Sequence, residues 1–307
     1  MQSVIITGAN TGLGFETAKF VMQDRTKLIV VACRNPELGK QAVEELTSEG
    51  GNATFLPIAL DSQTSVRKFV DLFHEAKLPP LGAIICNAGM QNFAEPQKTI
   101  EGYETSFAVN HLGHYLLVRL LLNDLAPDAR VTFVSSCSHD PAKKTFLTPP
   151  TYTNADAAAH DFAGSTREDG MRRYTTSKLC NIFCTYELTR LLAESGDKRL
   201  QSIKVNAFDP GVMPSTGLVR TWPKPVRPIL RVILPIVGLF KGNTHTPKTS
   251  GKRLAGVTMG PESAPGGRYF SDGKAIPSSI LSYDQAKQNE LWESSAKMTG
   301  LPSGLSL

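Results

Sequence analysis

The segment TGANTGLG, residues 7–14, joins a short β-branched run at residues 3–7 to an amphipathic stretch at residues 14–24. Glycine permits a tight turn and lets a ligand approach the backbone closely. The helix that follows such a turn directs its free N–H groups and the positive end of its dipole at the ligand. A strand, a glycine-rich turn and a helix in this order predict a phosphate-binding loop. The spacing G-x-x-x-G-x-G differs from the dinucleotide pattern G-x-G-x-x-G, so the loop alone does not identify the ligand.

The alternation of strand and helix continues along the chain. Five further apolar runs lie at residues 27–33, 53–59, 83–86, 130–134 and 202–207. Amphipathic stretches separate them, for example at residues 36–49 and 63–76. Runs that are apolar throughout are typical of strands buried on both faces, and their alternation with helices indicates right-handed crossovers. We therefore predict an α/β fold, a single doubly wound Rossmann-type domain with a parallel sheet over residues 1–307.

Two segments interrupt this alternation. Residues 137–173 are polar and contain three prolines, and residues 211–265 combine many prolines with a basic, apolar patch. Loops this long in a compact domain are usually functional. We predict that residues 137–173 form an insertion and that residues 211–265 form a substrate lid. A late strand at residues 267–271 and a final helix at residues 283–298 complete the predicted fold.

Composition narrows the class of protein. The chain has 307 residues, a net charge of +5, 41% hydrophobic residues and five scattered cysteines. These values are ordinary for a globular protein and exclude disordered, collagen-like and disulfide-rich classes. The mild charge predicts no nucleic-acid partner, and the lack of Cys-x-x-C predicts no metal site. No run reaches the roughly 20 apolar residues of a membrane span, and no secretory signal is visible, which favours a cytoplasmic or stromal-type soluble compartment.

The end of the second predicted strand bears on the cofactor. It reads ACRN at residues 32–35. Folds of this kind that bind NAD place an acidic residue near this point for the ribose hydroxyls, whereas an arginine suits the 2′-phosphate of NADP. No acidic residue occupies positions 31–35. Arg34 therefore predicts NADP(H).

Tyr174 and Lys178 lie four residues apart in the segment YTTSK, residues 174–178. On a helix this spacing places both side chains on one face. A phenol has a pKa near 10, and a neighbouring ammonium lowers that pKa toward neutrality. The pair therefore predicts acid–base chemistry, although the same spacing also suits an exposed surface pair.

Together with these features, several motifs resemble the short-chain dehydrogenase/reductase family. They are TGANTGLG (7–14), Asp61, NAG (87–89), Asn110, Ser135-Ser136, YTTSK (174–178) and Pro210-Gly211. They occur in the family's order and span residues 7 to 211. The resemblance implies a Rossmann-type fold and hydride transfer with a nicotinamide cofactor.

One branch of the family is more similar than the others. The segment VNHLGHYLL (109–117) resembles a helix of retinol dehydrogenases and of light-dependent protochlorophyllide oxidoreductases, and SGKRLA (250–255) resembles the latter. In those protochlorophyllide enzymes a cysteine implicated in proton donation follows Pro-Gly. Here Val212 follows Pro210-Gly211. An aliphatic side chain cannot donate a proton, which argues against that photochemical activity.

The resemblance implies roles for four catalytic residues. Tyr174 is the general acid or base, and Lys178 lowers its pKa and holds the nicotinamide ribose. Ser136, rather than the competing Ser135, binds the substrate oxygen. Asn110 anchors a water that connects Lys178 to solvent. These roles suit a reaction that builds negative charge on oxygen.

The resemblance also implies the cofactor contacts. The glycine loop provides the phosphate contacts through Gly8, Asn10, Thr11, Gly12, Leu13 and Gly14. The other contacts are Arg34 for the 2′-phosphate, Leu60 and Asp61 for adenine, Asn87, Ala88 and Gly89 beside the ribose, Tyr174 and Lys178, and Pro210, Gly211, Val212, Ser215 and Thr216 at the nicotinamide. The histidines of the segment 109–117 are expected to be packing residues, and the site is expected to hold no metal.

Residues 220–253 contain eight basic residues and no acidic one, interleaved with apolar side chains. Three interpretations stay open: a lid over a hydrophobic substrate with or without an anionic group, a peripheral membrane contact, or a subunit contact. Whether the protein forms an oligomer is likewise open.

The sequence thus predicts an NADP(H)-dependent oxidoreductase that interconverts a carbonyl and an alcohol on a bulky apolar substrate. Two alternatives are a protochlorophyllide-type C=C reductase and a catalytically idle NADPH-binding regulator.

Overall fold

The computed structural model describes residues 1–213, 245–261 and 266–305. In this part of the chain eight strands form one sheet in the order β3-β2-β1-β4-β5-β6-β7-β8. The strands are β1 Gln2–Thr7, β2 Lys27–Cys33, β3 Asn52–Pro57, β4 Leu81–Cys86, β5 Leu125–Val134, β6 Lys204–Asp209, β7 Arg268–Ser271 and β8 Lys274–Ile276. The first seven pair in parallel, and β8 runs antiparallel to β7. The doubly wound α/β prediction is confirmed.

Helices cover both faces of the sheet. They are α1 Gly12–Val21, α2 Pro36–Ser48, α3 Gln63–Glu75, α4 Thr105–Phe107, α5 Gly113–Leu120, α6 Ala155–Ala159, α7 Arg167–Glu194, α8 Lys198–Ser202, α9 Pro247–Met259 and α10 Gln285–Thr299. A π-helical turn, Ala108–Leu112, joins α4 to α5. Helices α1, α2 and α9 pack on one face, and α3, α5, α7 and α10 pack on the other. The central strands are therefore apolar on both sides, as the uninterrupted apolar runs predict.

The predicted insertion is shorter than expected. Helix α7 begins at Arg167, so the last residues of the segment 137–173 belong to the helix that carries Tyr174. A capping box starts this helix, because the Thr166 hydroxyl accepts from the Asp169 N–H and the Asp169 carboxylate accepts from the Thr166 N–H. The polar first turn, Arg167 to Arg172, hides the helical periodicity from a sequence-based prediction.

The structure describes only part of the segment predicted to form a lid. Of residues 211–265, the described part contains helix α9, which packs against α1 as a layer of the core. A Cβ on Gly251 would lie 2.9 Å from the Thr17 nitrogen, so the two helices approach closely. Leu254 and Val257 face the sheet, which explains why α9 is a fixed layer. Residues 214–244 and 262–265, with Ser215, Thr216 and most of the 220–253 segment, lie outside the described residues.

None of the helices in the described ranges is long and apolar enough to cross a membrane.

Candidate active site

The site lies where the strand order reverses, between the carboxyl ends of β1 and β4. The Thr7 hydroxyl accepts hydrogen bonds from the N–H groups of Asn87 and Ala88, each at 2.9 Å. The Asn87 amide in turn donates to the Thr7 carbonyl at 2.7 Å. These contacts fix the two strand ends to each other. In open α/β sheets a ligand binds in the crevice at this point.

The glycine-rich loop is shaped for close approach by a ligand. Gly8 and Gly12 have φ values of +68° and +60°, which favour glycine. A Cβ on Gly14 would lie 2.5 Å from Asn87 Nδ2 and 2.6 Å from the Gly8 carbonyl oxygen. Thr11, the N-cap of α1, makes no side-chain hydrogen bond to the first turn within the described residues. The first N–H groups of α1 therefore fit a phosphate group.

Arg34 and Asp61 meet at the outer end of this crevice. The Arg34 Nη1 atom lies 3.5 Å from the Asp61 Oδ2 atom, and the arginine side chain is 78% exposed. Asn35 caps α2 by accepting from the Leu38 N–H, so Arg34 sits directly before an ordered helix start. Leu60 is buried in the core and holds the segment before Asp61 in place. The arrangement presents a guanidinium where the sequence predicts the 2′-phosphate.

The predicted catalytic residues come together on the inner side of the crevice. Tyr174 and Lys178 lie one turn apart on α7, and Lys178 Nζ is 5.7 Å from the centre of the Tyr174 ring. Lys178 Nζ donates to the Val134 carbonyl at 2.9 Å. A Cβ on Gly89 would lie 3.4 Å from Lys178 Nζ. The close approach of this backbone leaves the ammonium beside the loop that follows β4.

Asn110 connects the π-helical turn to the same loop. Its Oδ1 atom accepts from the Met90 N–H at 2.8 Å, and its Nδ2 atom donates to the Met90 carbonyl at 3.0 Å and to the Ser177 hydroxyl at 2.9 Å. π-Helical turns are frequent at functional sites because the extra residue redirects a side chain. Here the turn directs Asn110 at α7 and at the loop after β4.

The two serines at the end of β5 have different surroundings. The Ser135 hydroxyl donates to the Lys178 carbonyl at 2.7 Å and is buried. The Ser136 hydroxyl accepts from the Ser138 N–H and hydroxyl and also interacts with the Tyr174 hydroxyl. The structure therefore favours Ser136 as the residue that faces the reacting group.

Burial controls the titration of the catalytic pair. It raises the pKa of Tyr174 to about 12, while hydrogen bonding from Gln91 and Ser136 acts in the opposite direction. Burial also lowers the pKa of Lys178 to about 8, and the charge of Asp209 opposes that effect. The pKa of Tyr174 in this structure thus lies above its ordinary value, opposite to the lowering expected beside Lys178, because burial outweighs the hydrogen bonds from Gln91 and Ser136.

Two residues near the pair were missed by sequence analysis. Asp209 ends β6 and is 1% exposed; its oxygens accept from the Gly211 N–H and the Ser271 hydroxyl, each at 3.0 Å. Gln91, in the loop after β4, interacts with the Tyr174 hydroxyl. An acidic residue directly before Pro-Gly, at the carboxyl end of a strand, is a signal that could have identified Asp209.

The segment directly after β6 borders the site at the carboxyl end of that strand. Gly211 has a φ of +73°, and the Pro210 carbonyl accepts from the Ser250 hydroxyl at 2.7 Å. The Val212 carbonyl accepts from the His245 N–H at 3.0 Å. Helix α9 thereby holds the Pro-Gly turn, and Val212 supplies no proton-donating group.

A doubly wound sheet with a glycine-rich first turn defines the class of Rossmann-type nucleotide-binding proteins. The family described as short chain dehydrogenase matches residues 2–173. The chain belongs to this short-chain dehydrogenase family of oxidoreductases.

Curated relatives and solved structures agree with this assignment. A protochlorophyllide reductase from Avena sativa is 33% identical and aligns over 97% of this chain and 99% of its own length. Protochlorophyllide reductase A, chloroplastic, from Triticum aestivum is 32% identical over 97% of this chain and 80% of its own. A solved structure of an uncharacterised protein from Mycobacterium Paratuberculosis is 24% identical, with a TM-score of 0.72 and coverage of 100% and 96%. Actinorhodin polyketide ketoreductase with NADPH is 18% identical, with a TM-score of 0.62 and coverage of 88% and 94%.

Proposed function

We propose that the protein is an NADP(H)-dependent oxidoreductase that interconverts a carbonyl and an alcohol on a bulky, mostly apolar substrate. One observation carries the proposal: the Tyr174 hydroxyl lies against Ser136, with Lys178 one turn away beside the loop at Gly89. A phenol, a hydroxyl and an ammonium in this order suit protonation of a developing alkoxide.

The residues of the crevice fit the cofactor. The first N–H groups of α1 and the bare backbone of Gly8, Gly12 and Gly14 suit the pyrophosphate, and Arg34 suits the 2′-phosphate. When bound, the reduced cofactor supplies a hydride to the substrate carbon.

The chain's own residues provide the proton and the orientation. As the carbonyl oxygen gains negative charge, the Tyr174 hydroxyl donates its proton to it, and the Ser136 hydroxyl donates a hydrogen bond. The Lys178 ammonium stabilises the phenolate that remains on Tyr174. Solvent then restores the proton to Tyr174, so the alcohol gains one hydride and one proton in total.

The surroundings of Tyr174 support the proposal of an apolar substrate. Phe93, Leu147 and Met171 form one apolar cluster with Tyr174, and the Phe93 ring lies edge-on to the Tyr174 ring with centroids 6.3 Å apart. Apolar walls with a few placed polar groups are typical of sites for hydrophobic ligands.

The relatives support a second candidate, reduction of a C=C bond in protochlorophyllide, because both plant proteins carry the name protochlorophyllide reductase. Val212 argues against it, since no thiol stands at that position to donate a proton. Purified protein with NADPH and protochlorophyllide should show no conversion under illumination.

The test of the first candidate is NADPH oxidation with a panel of aromatic and long-chain aldehydes and ketones, and NADP⁺ reduction with the matching alcohols. Turnover in either direction that Tyr174→Phe abolishes supports the proposal. Absence of turnover with the whole panel, together with conversion of illuminated protochlorophyllide, would replace it with the second candidate.

A further inference from the structure

His114 is a fully buried histidine on α5 that makes two hydrogen bonds, one toward the cofactor crevice and one toward Asn110. Its Nε2 atom lies 2.8 Å from the hydroxyl of Thr7, the last residue of β1. Its Nδ1 atom lies 3.1 Å from the Asn110 carbonyl oxygen. One imidazole ring thus joins the crevice between β1 and β4 to the π-helical turn that carries Asn110.

The partners of the two ring nitrogens determine where the ring carries its proton. The Asn110 carbonyl can only accept, so Nδ1 is the protonated nitrogen. The Thr7 hydroxyl already accepts from the N–H groups of Asn87 and Ala88, so its own proton is the one that lies between it and Nε2. His114 is therefore a neutral ring that donates from Nδ1 and accepts at Nε2. Burial lowers the pKa of His114 to about 4 and keeps the ring in this form.

The π-helical turn interrupts the regular backbone hydrogen bonds around Asn110. The Gly113 N–H donates to the Ala108 carbonyl, five residues back, where an α-helix would use the residue four back. Within this irregular stretch the His114 ring adds a donor to the Asn110 carbonyl. The ring thereby helps to hold a turn that the helical pattern alone holds less well.

The hydrogen bonds beyond Asn110 continue in the same direction. Asn110 Nδ2 donates to the Ser177 hydroxyl at 2.9 Å, and the Ser177 hydroxyl donates to the Tyr174 carbonyl at 2.6 Å. The series runs from the end of β1 to the helix of Tyr174 through Thr7, His114, Asn110 and Ser177. These four residues are at most 1% exposed, and buried hydrogen bonds in series strengthen one another.

Asn110 stands beside the catalytic lysine. A Cβ on Gly89 would lie 3.3 Å from Asn110 Oδ1 and 3.4 Å from Lys178 Nζ, so the amide and the ammonium flank one point of the backbone. The Asn110 side chain also bonds both the N–H and the carbonyl of Met90. A shift of Asn110 would therefore disturb the surroundings of the ammonium and the loop after β4 together.

The same loop packs against α7 on its other side. A Cβ on Gly170 would lie 2.5 Å from Phe93 Cα, so only glycine lets the loop approach the helix this closely. Arg173 Nη2, on the same helix, donates to the Ala94 carbonyl at 3.3 Å. The loop is thus held between Asn110 and α7, and a displacement of Asn110 would reach the helix that carries the catalytic pair.

We propose that His114 is a positioning residue for the reaction, which holds Asn110 in place between the cofactor crevice and the helix of the catalytic pair. The Nδ1–H bond to Asn110 is the one that matters for turnover. Without the ring, the Thr7 hydroxyl can turn to the Ile85 carbonyl, 3.3 Å away, whereas Asn110 loses its donor. Loss of the ring should therefore slow the reaction and leave NADPH binding in place. This inference rests on the proposed carbonyl–alcohol function.

The test compares two amides at position 114. In His114→Asn the side-chain nitrogen is bonded to Cγ, as Nδ1 is, and can donate to the Asn110 carbonyl. In His114→Gln the amide lies one carbon further out, toward Thr7, and no donor occupies the place of Nδ1. Glutamine is closer to histidine in size, so it would be the better replacement for a residue that only packs. We expect His114→Asn to retain most of the wild-type kcat and His114→Gln to lower it about tenfold to a hundredfold, with similar Kd values for NADPH.

His111→Leu is the matched control. His111 is equally buried on the same π-helical turn, but its Nε2 atom lies 2.9 Å from the hydroxyl of Ser295 on α10. The variant loses a buried hydrogen bond and should lower the free energy of unfolding without changing kcat. A kcat that falls as far in His114→Asn as in His114→Gln, or as far in His111→Leu, overturns the proposal.

Hydrogen exchange distinguishes failure of this inference from failure of the proposed function. The Met90 N–H donates to Asn110 Oδ1, so its exchange rate, measured by NMR, reports the position of Asn110 without any reaction. This N–H should exchange about tenfold faster in His114→Gln than in wild type or His114→Asn. If wild type turns over no carbonyl, that result would support the inference that His114 positions Asn110 and reject the proposed reaction. Equal exchange in the three proteins would overturn the inference as well.

Discussion

Arg34 Nη1 lies 3.5 Å from Asp61 Oδ2, so an ion pair joins the segments that follow β2 and β3. The arginine side chain is mostly exposed, and exposed ion pairs contribute little to stability. Asp61 therefore holds the guanidinium only weakly. A doubly charged phosphate is a better partner than a single carboxylate, because it accepts bidentate hydrogen bonds.

The first prediction concerns cofactor choice. NADPH should bind about tenfold to a hundredfold more tightly than NADH, because only NADPH carries the 2′-phosphate assigned to Arg34. Arg34→Ala should remove most of this difference, and fluorescence titration of both cofactors measures it. Arg25→Ala is the control, since Arg25 precedes β2, at the end of the strand opposite to Arg34, and contacts the Gly50 carbonyl. Equal affinity of wild type for the two cofactors would contradict the prediction.

The second prediction concerns proton transfer. Tyr174→Phe should lower kcat by about 10²–10⁴-fold, because the ring still packs while the proton donor is lost. NADPH affinity should remain near the wild-type value. Tyr186→Phe is the control on the same helix, since its hydroxyl contacts Ser278 away from the crevice. A Tyr174→Phe enzyme with undiminished kcat would place the chemistry elsewhere.

The third prediction concerns pH. The active form needs a charged Lys178, whose pKa is lowered to about 8, so kcat/KM should fall as pH rises through about 8. The negative charge of Asp209 raises the Lys178 pKa, and its removal in Asp209→Asn should lower that pKa further. The midpoint of the alkaline fall should therefore move to lower pH.

Ser271→Ala is the control for this pH experiment. It removes a hydrogen bond to Asp209 but keeps the charge, so the midpoint should stay in place. Asparagine has the size of aspartate and still accepts from the Gly211 N–H, which limits any structural effect. A midpoint that stays put or rises in Asp209→Asn would rule out the carboxylate as the group that supports the ammonium.

The fourth prediction concerns the glycine loop. Gly14→Ala should destabilise the protein by about 1–3 kcal/mol, because its Cβ would collide with Asn87 Nδ2 and the Gly8 carbonyl oxygen. Gly256→Ala, in the middle of α9, meets nothing within 4 Å and should stabilise by about 0.5–1 kcal/mol. Urea unfolding measures the free energy of unfolding of both variants, which should fall in Gly14→Ala and rise in Gly256→Ala. Similar changes in the two variants would refute the steric argument.

The sequence is most informative where local pattern and tertiary structure agree. The apolar run at residues 27–33 coincides with β2, and the amphipathic stretch at residues 63–76 nearly coincides with α3. Element starts are harder to predict where the apolar pattern is interrupted. Pro127 and Asp128 separate the start of β5 from its apolar run, and α7 begins with charged residues. The edge strand β8 is exposed along its whole length and was not predicted for the same reason.

The residues of the site likewise differ in whether a local sequence pattern identifies them. Motifs with fixed spacing, such as YTTSK, identify Tyr174 and Lys178 by their order along the chain. Gln91 and Asp209 act on that pair from segments about 80 and 30 residues away from it. The position before Pro-Gly marks Asp209 in the sequence, but no local pattern around Gln91 relates it to the pair. The titration of the pair likewise depends on burial, which is a property of the folded chain.

The hydrogen atom in place of a side chain at Gly170 sets the distance between α7 and the loop of Gln91. A residue with no functional group thus determines how closely the loop carrying Phe93 packs against the helix of Tyr174. Because a Cβ at Gly170 would lie 2.5 Å from the Phe93 Cα atom, any larger residue there requires the loop or the helix to move. Phe93 and Tyr174 share one apolar cluster, so the packing around the reacting phenol is coupled to a position that takes no part in the reaction.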